Sequence, residues 1–437
     1  MRSIDRARAA LYLLVFGAVV VLPGGIGASP PAAGDEGTMH ARGGKGAESN
    51  KPDGGLRAPD LRGVDPRKME RDGETMHVAL PGRRDARLTV DAGLQEHIER
   101  ELRKNAVPRA GVVALDPRTG RVLAYVSRDT GEFGPAVDVA RDASAPAASV
   151  FKVVTASALV DAGVGPKRTA CYHGGLHGLT KDDIVDGPRD HRCDSLSDAL
   201  ARSLNAVFAK LSLGHLDQKS LTARARAFGF GAAPGFELPV AKSALDVPDP
   251  AKDRLEFGKM SAGFFHTTMS PIHGALIAAT VANRGRMPTP QLIESVRDAE
   301  GRAVYTAPAP SSHEVIGAQT ARTVGRMMEG TVAFGTARSA FLDDKGWAFL
   351  PDIKVAGKTG TLSDAKPYRG YTWWVGYAPA DDPQIAVASL VVNTPLWRVK
   401  ASYVAREALR YYLVEKPKRD ARAKKAAARA EGPEDHP

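Results

Sequence analysis

Three short groups of residues in this chain combine hydroxyl and amine side chains in a way that suits nucleophilic catalysis. Ser149 is followed three positions later by Lys152, within an apolar segment that is predicted to be a helix. Residues three apart on a helix share a face, so the Lys152 amine can reach the Ser149 hydroxyl. A serine hydroxyl is a poor nucleophile until a base takes its proton. This first group therefore predicts Ser149 as nucleophile and Lys152 as its base, although alone it would equally suit a helix cap beside a surface lysine.

A free lysine is protonated at neutral pH and cannot act as a base. We expect burial of Lys152 among its apolar neighbours, and a second cation at Lys358, to lower the pKa of the Lys152 amine. Ser149 at a helix start also leaves its backbone N–H free to bind an oxyanion. The N–H of Thr361, on a later strand, is the predicted second donor of that oxyanion hole.

The second group is Ser203-Leu204-Asn205, which lies in a stretch of helical character. We expect Ser203 to pass a proton between Lys152 and a leaving amine, and Asn205 to bind an amide of the substrate. Alone, these residues would be ordinary members of a helix or a loop.

The third group is Lys358-Thr359-Gly360-Thr361, on a predicted late strand. Lys358 and Thr359 supply a cation and a hydroxyl for a substrate carboxylate. Gly360 leaves room for an extended substrate to lie against the strand as an added edge. A plain turn would explain this group alone, but the three groups in this order, each in a fitting context, favour catalysis.

The elements that position these residues follow a pattern of strands at both ends around a helical middle. They are a strand at 87–90, a helix capped by Asp91 that runs to about Ala106, a hairpin at 111–127 turning at Gly120, a buried helix at 147–163, a mostly helical middle from 196 to 332 in which Ser270-Pro271 starts a helix, strands at 353–362, 372–380 and 384–392, and a last helix at 400–414. This order predicts an α+β fold in which N- and C-terminal strands join one antiparallel sheet and the terminal helices cover one face.

Composition sets the wider limits. The chain has 437 residues, 43% of them hydrophobic and 25% charged, which is enough to bury a sizeable core. The formal net charge of +10 invites a nucleic-acid partner. We predict no nucleic-acid binding, because the basic residues are scattered and no basic patch is interleaved with aromatic residues. The one clear basic cluster begins a predicted disordered tail, residues 416–437.

The first 28 residues predict export. Three arginines precede an apolar run and then small residues, which is typical of a secretory signal, while the run is also about long enough for a minimal membrane anchor. The prediction is therefore an exported protein, periplasmic or on the outer face of the cytoplasmic membrane, either anchored or released. Residues 29–85, rich in Gly, Pro and charge, are predicted to be a flexible linker, and residues 86–415 a folded domain.

The three motifs resemble those of the penicillin-binding proteins, in the order S-x-x-K, S-x-N and K-T-G. The stretches LTVDAGLQ, VVALDPRTGRVLAYVS, SPIHGALIAATVANRG, MPTP and GTA at Gly335–Ala337 are also similar to that family. The resemblance, which covers about Arg87 to Val414, implies the penicillin-binding/β-lactamase-like fold and acylation of Ser149 by peptidoglycan stem peptides. It also implies release of the terminal D-alanine, transfer to an acceptor amine, and acylation by β-lactams.

Departures from the family and competing activities stay open. The region before Ala86 is too short for a glycosyltransferase domain or a large non-catalytic module. We therefore expect a monofunctional enzyme with a possible membrane glycosyltransferase partner, and no cofactor.

A β-lactamase or D,D-carboxypeptidase, in which water replaces the amine, is the alternative enzyme. A catalytically silent scaffold or β-lactam sensor is the alternative outside enzymes.

The two cysteines, Cys171 and Cys193, lie shortly before Ser203. In an oxidising compartment the leading prediction is a disulfide that braces the segment presenting Ser203. The nearby His173, His177 and His191 raise a metal site as an alternative, which the spacing of these residues does not support.

Overall fold

The computed structural model describes Leu61 and residues 63–430, with side chains as far as Ala423. The predicted export segment 1–28, the first half of the predicted linker and residues 431–437 lie outside them. The strands are β1 (Glu70–Asp72), β2 (Thr75–Leu80), β3 (Arg84–Leu88), β4 (Arg109–Leu115), β5 (Val122–Asp129), β6 (Thr169–Tyr172), β7 (Arg192–Ser195), β8 (Arg286–Pro288), β9 (Ile293–Arg297), β10 (Ala303–Thr306), β11 (Ser312–Glu314), β12 (Ala356–Ala365), β13 (Tyr368–Ala378) and β14 (Ile385–Asn393). The helices are α1 (Ala92–Lys104), α2 (Lys152–Asp161), α3 (Leu196–Arg202), α4 (Asn205–His215), α5 (Gln218–Ala227), α6 (Arg254–Ser261), α7 (Pro271–Ala282), α8 (Ala318–Ala333), α9 (Ala401–Arg410) and α10 (Lys416–Ala430).

The central sheet is antiparallel and has the strand order β12-β13-β14-β4-β5. The N-terminal hairpin β4–β5 thus joins the C-terminal strands, as the sequence predicted. The hairpin turns at Gly120, whose φ of +78° is a conformation that glycine adopts without strain. Strand β12 stands at the edge of this sheet, so one side of its backbone has no strand partner in the sheet.

Helices cover both faces of the central sheet. On one face, α1 and α9 bury Leu94, Ile98, Val404 and Leu409 against the sheet. Asp91 caps α1 by accepting a hydrogen bond from the N–H of Leu94, as predicted. On the other face lies α7, which begins at the predicted N-cap Ser270 and packs Gly274 close to β13 and β14. The α+β prediction is confirmed, with the terminal helices on one face.

The middle of the chain contains more strand than the sequence predicted. Between α7 and α8 the chain forms β8 to β11, and β9 and β10 complete a second sheet of order β1-β2-β3-β9-β10. The remaining middle segment, α2 to α6 with α8, is helical. These helices pack together beside the edge of the central sheet and carry two of the three motifs.

Two predicted boundaries are wrong. Residues 70–85 of the predicted linker form β1, β2 and the start of β3, because alternate residues of β2 (Met76, Val78 and Leu80) enter the core and β3 pairs with β9. Residues 416–430 of the predicted tail form α10, which continues from α9 through the π-helical turn Tyr411–Glu415. Its Ala, Lys and Arg residues have high helix propensity, and Lys416 lies 2.5 Å from Asp91.

Candidate active site

The Ser149–Lys152 pair lies where the predicted buried helix begins. The structure divides that segment into a 3₁₀ turn, Ala148–Phe151, and α2, which starts at Lys152. Ser149 is thus in the first turn, where backbone N–H groups have no carbonyl four residues earlier within the helix. Lys152 Nζ lies 2.9 Å from Ser149 Oγ. The predicted contact between nucleophile and base is present.

Lys152 is fully buried, with 0% of its surface exposed. Its Nζ lies 2.7 Å from Asn205 Oδ1 and 2.6 Å from the carbonyl oxygen of Ala262. Loss of hydration, followed by repulsion from Lys358, holds the pKa of Lys152 well below its usual value.

The Lys152 amine lies within hydrogen-bond distance of three oxygen atoms, which an ammonium group would bind through three N–H bonds and a neutral amine through two. Its lowered pKa favours the neutral form. Asn205 Oδ1 and the Ala262 carbonyl are acceptors, so they take the two N–H hydrogens that a neutral amine has. The lone pair is then left for the third neighbour, the Ser149 hydroxyl. The arrangement therefore lets Ser149 donate its hydrogen to Lys152, which is the geometry of a nucleophile beside its base.

Ser203 and Lys358 form a second pair. Ser203 follows the last residue of α3 in the left-handed conformation (φ +61°), and Lys358 is buried on β12. Lys358 Nζ donates to Ser203 Oγ at 3.0 Å and to the carbonyl of Thr359 at 2.8 Å. Burial lowers the pKa of Lys358 to about 7. Ser203 is thus held by Lys358, and its predicted role in passing a proton between Lys152 and a leaving amine stays a prediction.

Gly360 and Gly263 let three segments meet around the nucleophile. A Cβ on Gly360 would lie 3.1 Å from Ala148 Cβ, so β12 packs directly on the turn that carries Ser149. A Cβ on Gly263 would lie 2.2 Å from the Ala148 carbonyl oxygen. This brings the neighbouring Ala262 carbonyl within reach of Lys152. The predicted role of Gly360, room for a substrate, stays a prediction; the structure adds close packing of strand on turn.

Asn205 and Thr359 have protein partners that the sequence did not predict. Asn205 accepts from Lys152 and donates through Nδ2 to the Leu176 carbonyl at 3.0 Å, so it orients the base. Thr359 Oγ1 lies 2.5 Å from Thr336 Oγ1. Whether Asn205 and Thr359 also bind substrate stays a prediction.

Sequence reasoning missed two contributors to the site. Thr336 could have been found from the sequence, since it is the middle residue of the GTA stretch that resembles the family. Ala262 could not have been found, because it contributes its backbone carbonyl, a group that every residue has.

Cys171 and Cys193 form the predicted disulfide, which pairs opposite residues of the hairpin β6–β7. Lys210 of α4 donates to the Cys171 carbonyl at 2.9 Å and lies 2.5 Å from Asp190. The cross-linked hairpin is therefore tied to α4, whose first residue is Asn205. His173 pairs with Asp190, and within the described residues no group of three His, Cys, Asp or Glu side chains could hold a metal ion.

Comparisons with known proteins identify the family of this chain. The model of the family "Penicillin binding protein transpeptidase domain" matches residues 110–412. The chain is 29% identical over 320 residues to the peptidoglycan D,D-transpeptidase PbpA of Mycolicibacterium smegmatis, which covers 65% of this chain and 62% of that protein. It is 27% identical over 339 residues to the stage V sporulation protein D of Bacillus subtilis, covering 71% of this chain and 50% of the relative.

Solved structures are also similar. The imipenem acyl-enzyme complex of penicillin-binding protein A from M. tuberculosis has a TM-score of 0.62 and 26% identity, covering 75% of this chain and 79% of that one. The sheet, its covering helices and the motif arrangement define the penicillin-binding fold. The chain belongs to the penicillin-binding protein transpeptidase domain family. It spans 62% of the length of the PbpA relative.

No helix among the described residues is long and apolar enough to cross a membrane.

Proposed function

We propose that this protein is a penicillin-binding D,D-transpeptidase that cross-links peptidoglycan stem peptides through an acyl-enzyme on Ser149. One observation carries the proposal. The buried Lys152 amine lies 2.9 Å from the Ser149 hydroxyl while its other two contacts are acceptors. The name of the PbpA relative, a peptidoglycan D,D-transpeptidase, supports the same activity.

In the proposed first step the Ser149 hydroxyl gives its proton to Lys152, and Oγ attacks the carbonyl carbon of the penultimate D-alanine. The oxyanion that forms is held by the N–H groups of Ser149 and Thr361. The C–N bond to the terminal D-alanine then breaks. The leaving nitrogen takes a proton through Ser203, and Lys358, hydrogen-bonded to Ser203, can replace that proton. Free D-alanine and a Ser149 ester are the products.

In the second step an amine of a neighbouring stem peptide attacks the ester. Ser203 takes a proton from that amine and passes one to Lys358, Lys152 returns its proton to Ser149 Oγ as the C–O bond breaks, and an amide cross-link forms. Edge strand β12 supplies a backbone ladder along which an extended peptide can lie. Lys358 and the Thr359–Thr336 hydroxyl pair bind the terminal carboxylate of the donor, or the carboxylate of a β-lactam.

Covalent labelling tests the assignment of Ser149. A fluorescent penicillin should label the wild-type chain and fail to label Ser149→Ala. Ser157→Ala is the matched control, because Ser157 lies in α2 and its hydroxyl donates to the Val153 carbonyl of the same helix. Ser157→Ala should be labelled as the wild type is. An unlabelled wild type, or equal labelling of Ser149→Ala, would show that the assignment is wrong.

A second assay separates transfer from hydrolysis. The purified chain is given a donor peptide ending in D-Ala-D-Ala, with and without a D-amino acid as acceptor amine. Transpeptidation predicts a new amide product that grows with acceptor concentration. D-alanine release without that product would indicate a carboxypeptidase, and nitrocefin turnover far beyond one equivalent would indicate a β-lactamase.

We propose that the enzyme works outside the cytoplasm, with a membrane glycosyltransferase as its partner. The name of the PbpA relative, a peptidoglycan D,D-transpeptidase, supports the location. If residues 1–28 are retained, they would anchor the protein in the membrane. If they are cleaved, the protein would be released. Mass spectrometry of the protein purified from its own cells decides between the two.

A further inference from the structure

A second cleft lies at one end of the central sheet, lined by residues outside the three motifs. Its volume is about 620 Å³, and its walls come from the β4–β5 turn, the end of α7, one face of α8 and the β13–β14 turn. Four arginines line it: Arg118, Arg284, Arg322 and Arg326. Nothing in the transpeptidase reaction uses these residues.

The cleft has more positive than negative charge available to a ligand. Two of its three carboxylates are already paired, Asp381 with Lys354 at 3.2 Å and Asp382 with Arg118 at 3.7 Å. Within the part of the chain that the structure describes, Arg284 and Arg326 have neither a hydrogen-bond nor an ion-pair partner. Glu329 is the remaining carboxyl group of the lining. The free guanidinium groups therefore outnumber the free carboxyl groups.

A tyrosine in the lining adds an independent observation. Tyr377 lines the cleft and is only 4% exposed. Its hydroxyl has no hydrogen-bond partner among the described residues and is not one of the buried polar atoms cut off from solvent. Gly325 makes room for it, because a Cβ there would lie 2.4 Å from the Tyr377 oxygen. Burial, followed by the charges of Glu329 and Asp381, raises the pKa of Tyr377. The hydroxyl therefore stays protonated and can donate to an acceptor that enters the cleft.

We propose that this cleft is a binding site for an oxyanion ligand, a phosphate or a carboxylate, held by Arg284, Arg326 and the Tyr377 hydroxyl. Guanidinium groups bind both oxyanions through paired N–H donors, and Tyr377 supplies a neutral donor from the floor. The site is separate from the acylation chemistry and does not depend on it.

Calorimetric titration of the full chain with inorganic pyrophosphate and with citrate, at one fixed ionic strength, tests the proposal. The double variant Arg284→Ala/Arg326→Ala should bind at least about tenfold more weakly than the wild type, since each charged contact is typically worth about a factor of ten. Tyr377→Phe should weaken binding severalfold. Glu329→Gln should tighten binding, because it removes the one unpaired carboxyl group; misfolding cannot produce that result.

Arg226→Ala is the matched control, since Arg226 is an exposed arginine on α5, outside the cleft. It should bind as the wild type does, and melting curves should show every variant folded. Preference for pyrophosphate would identify phosphate as the ligand group, and preference for citrate would identify carboxylate; either supports the site. Absence of binding by the wild type, equal loss in Arg226→Ala, or no gain in Glu329→Gln overturns it.

Discussion

The amine of Lys358 lies 3.0 Å from the hydroxyl of Ser203, joining edge strand β12 to the end of α3. The two residues are 155 positions apart in the chain. Lys358 is fully buried, and the contact places a titratable cation against the serine that is proposed to protonate the leaving amine. Two expectations follow, one for the hydroxyl and one for the cation.

Removing the Ser203 hydroxyl should slow acylation by about a hundredfold or more, the usual contribution of a positioned proton donor. Ser203 has a φ of +61°, so Ser203→Ala keeps the backbone strain, whereas Ser203→Gly relieves it. Stopped-flow acylation by a reporter β-lactam should show the same loss in both variants. If Ser203→Gly retains the wild-type rate, the hydroxyl is not part of the proton path.

Acylation by a carboxylate-bearing penicillin should decline as the pH rises through about 7. The pKa of Lys358 is lowered to about 7 by burial, so the amine is cationic below that pH and neutral above it. The second-order rate constant reports the free enzyme, in which this pKa applies. Lys358→Arg stays charged at every pH tested.

The comparison therefore concerns the shape of the two pH profiles and not their height, because arginine does not reproduce the geometry of lysine. The decline near pH 7 should disappear in Lys358→Arg. An identical decline in both proteins would assign it to another group.

Gly263→Ala should lower both stability and acylation. A Cβ there would lie 2.2 Å from the Ala148 carbonyl oxygen, beside Ser149, and the φ of +87° is itself unfavourable for alanine. Gly301→Ala separates the two effects, because its φ is +79° but nothing lies within 4 Å of its Cβ. We expect Gly301→Ala to cost about 1–2 kcal/mol in unfolding free energy. Gly263→Ala should lower the free energy of unfolding by clearly more, and it should also slow acylation. Urea unfolding measures the first effect in both variants, and the acylation assay measures the second.

Replacing Cys171 and Cys193 together by serine should reduce the free energy of unfolding by about 3 kcal/mol in the chain-entropy model, for a sequence separation of 22 residues. Because hairpin β6–β7 is tied to α4 through Lys210, acylation should also slow. The wild type in reducing agent should behave like the double variant. A double variant as stable as the oxidised wild type would mean that the cross-link contributes nothing.

The sequence by itself determined the chemistry that depends on short spacing. Ser149 and Lys152 meet because one helical turn separates them. The order of the motifs indicated the fold class, and two cysteines in a chain predicted to be exported indicated a disulfide between them. The caps at Asp91 and Ser270 and the turn at Gly120 are equally local, since each is fixed by backbone groups within a few residues.

The tertiary structure decided what depends on distant or backbone partners. Strands β1 to β3 are only three to six residues long, and pairing of β3 with β9, about two hundred residues later, builds them into a five-stranded sheet. Thr336 acquires its role from Thr359, and Ser203 is held by Lys358 from another element. The Ala262 carbonyl that orients Lys152 is present in every residue type, so no pattern of side chains could reveal it; only the close packing at Gly263 brings it there.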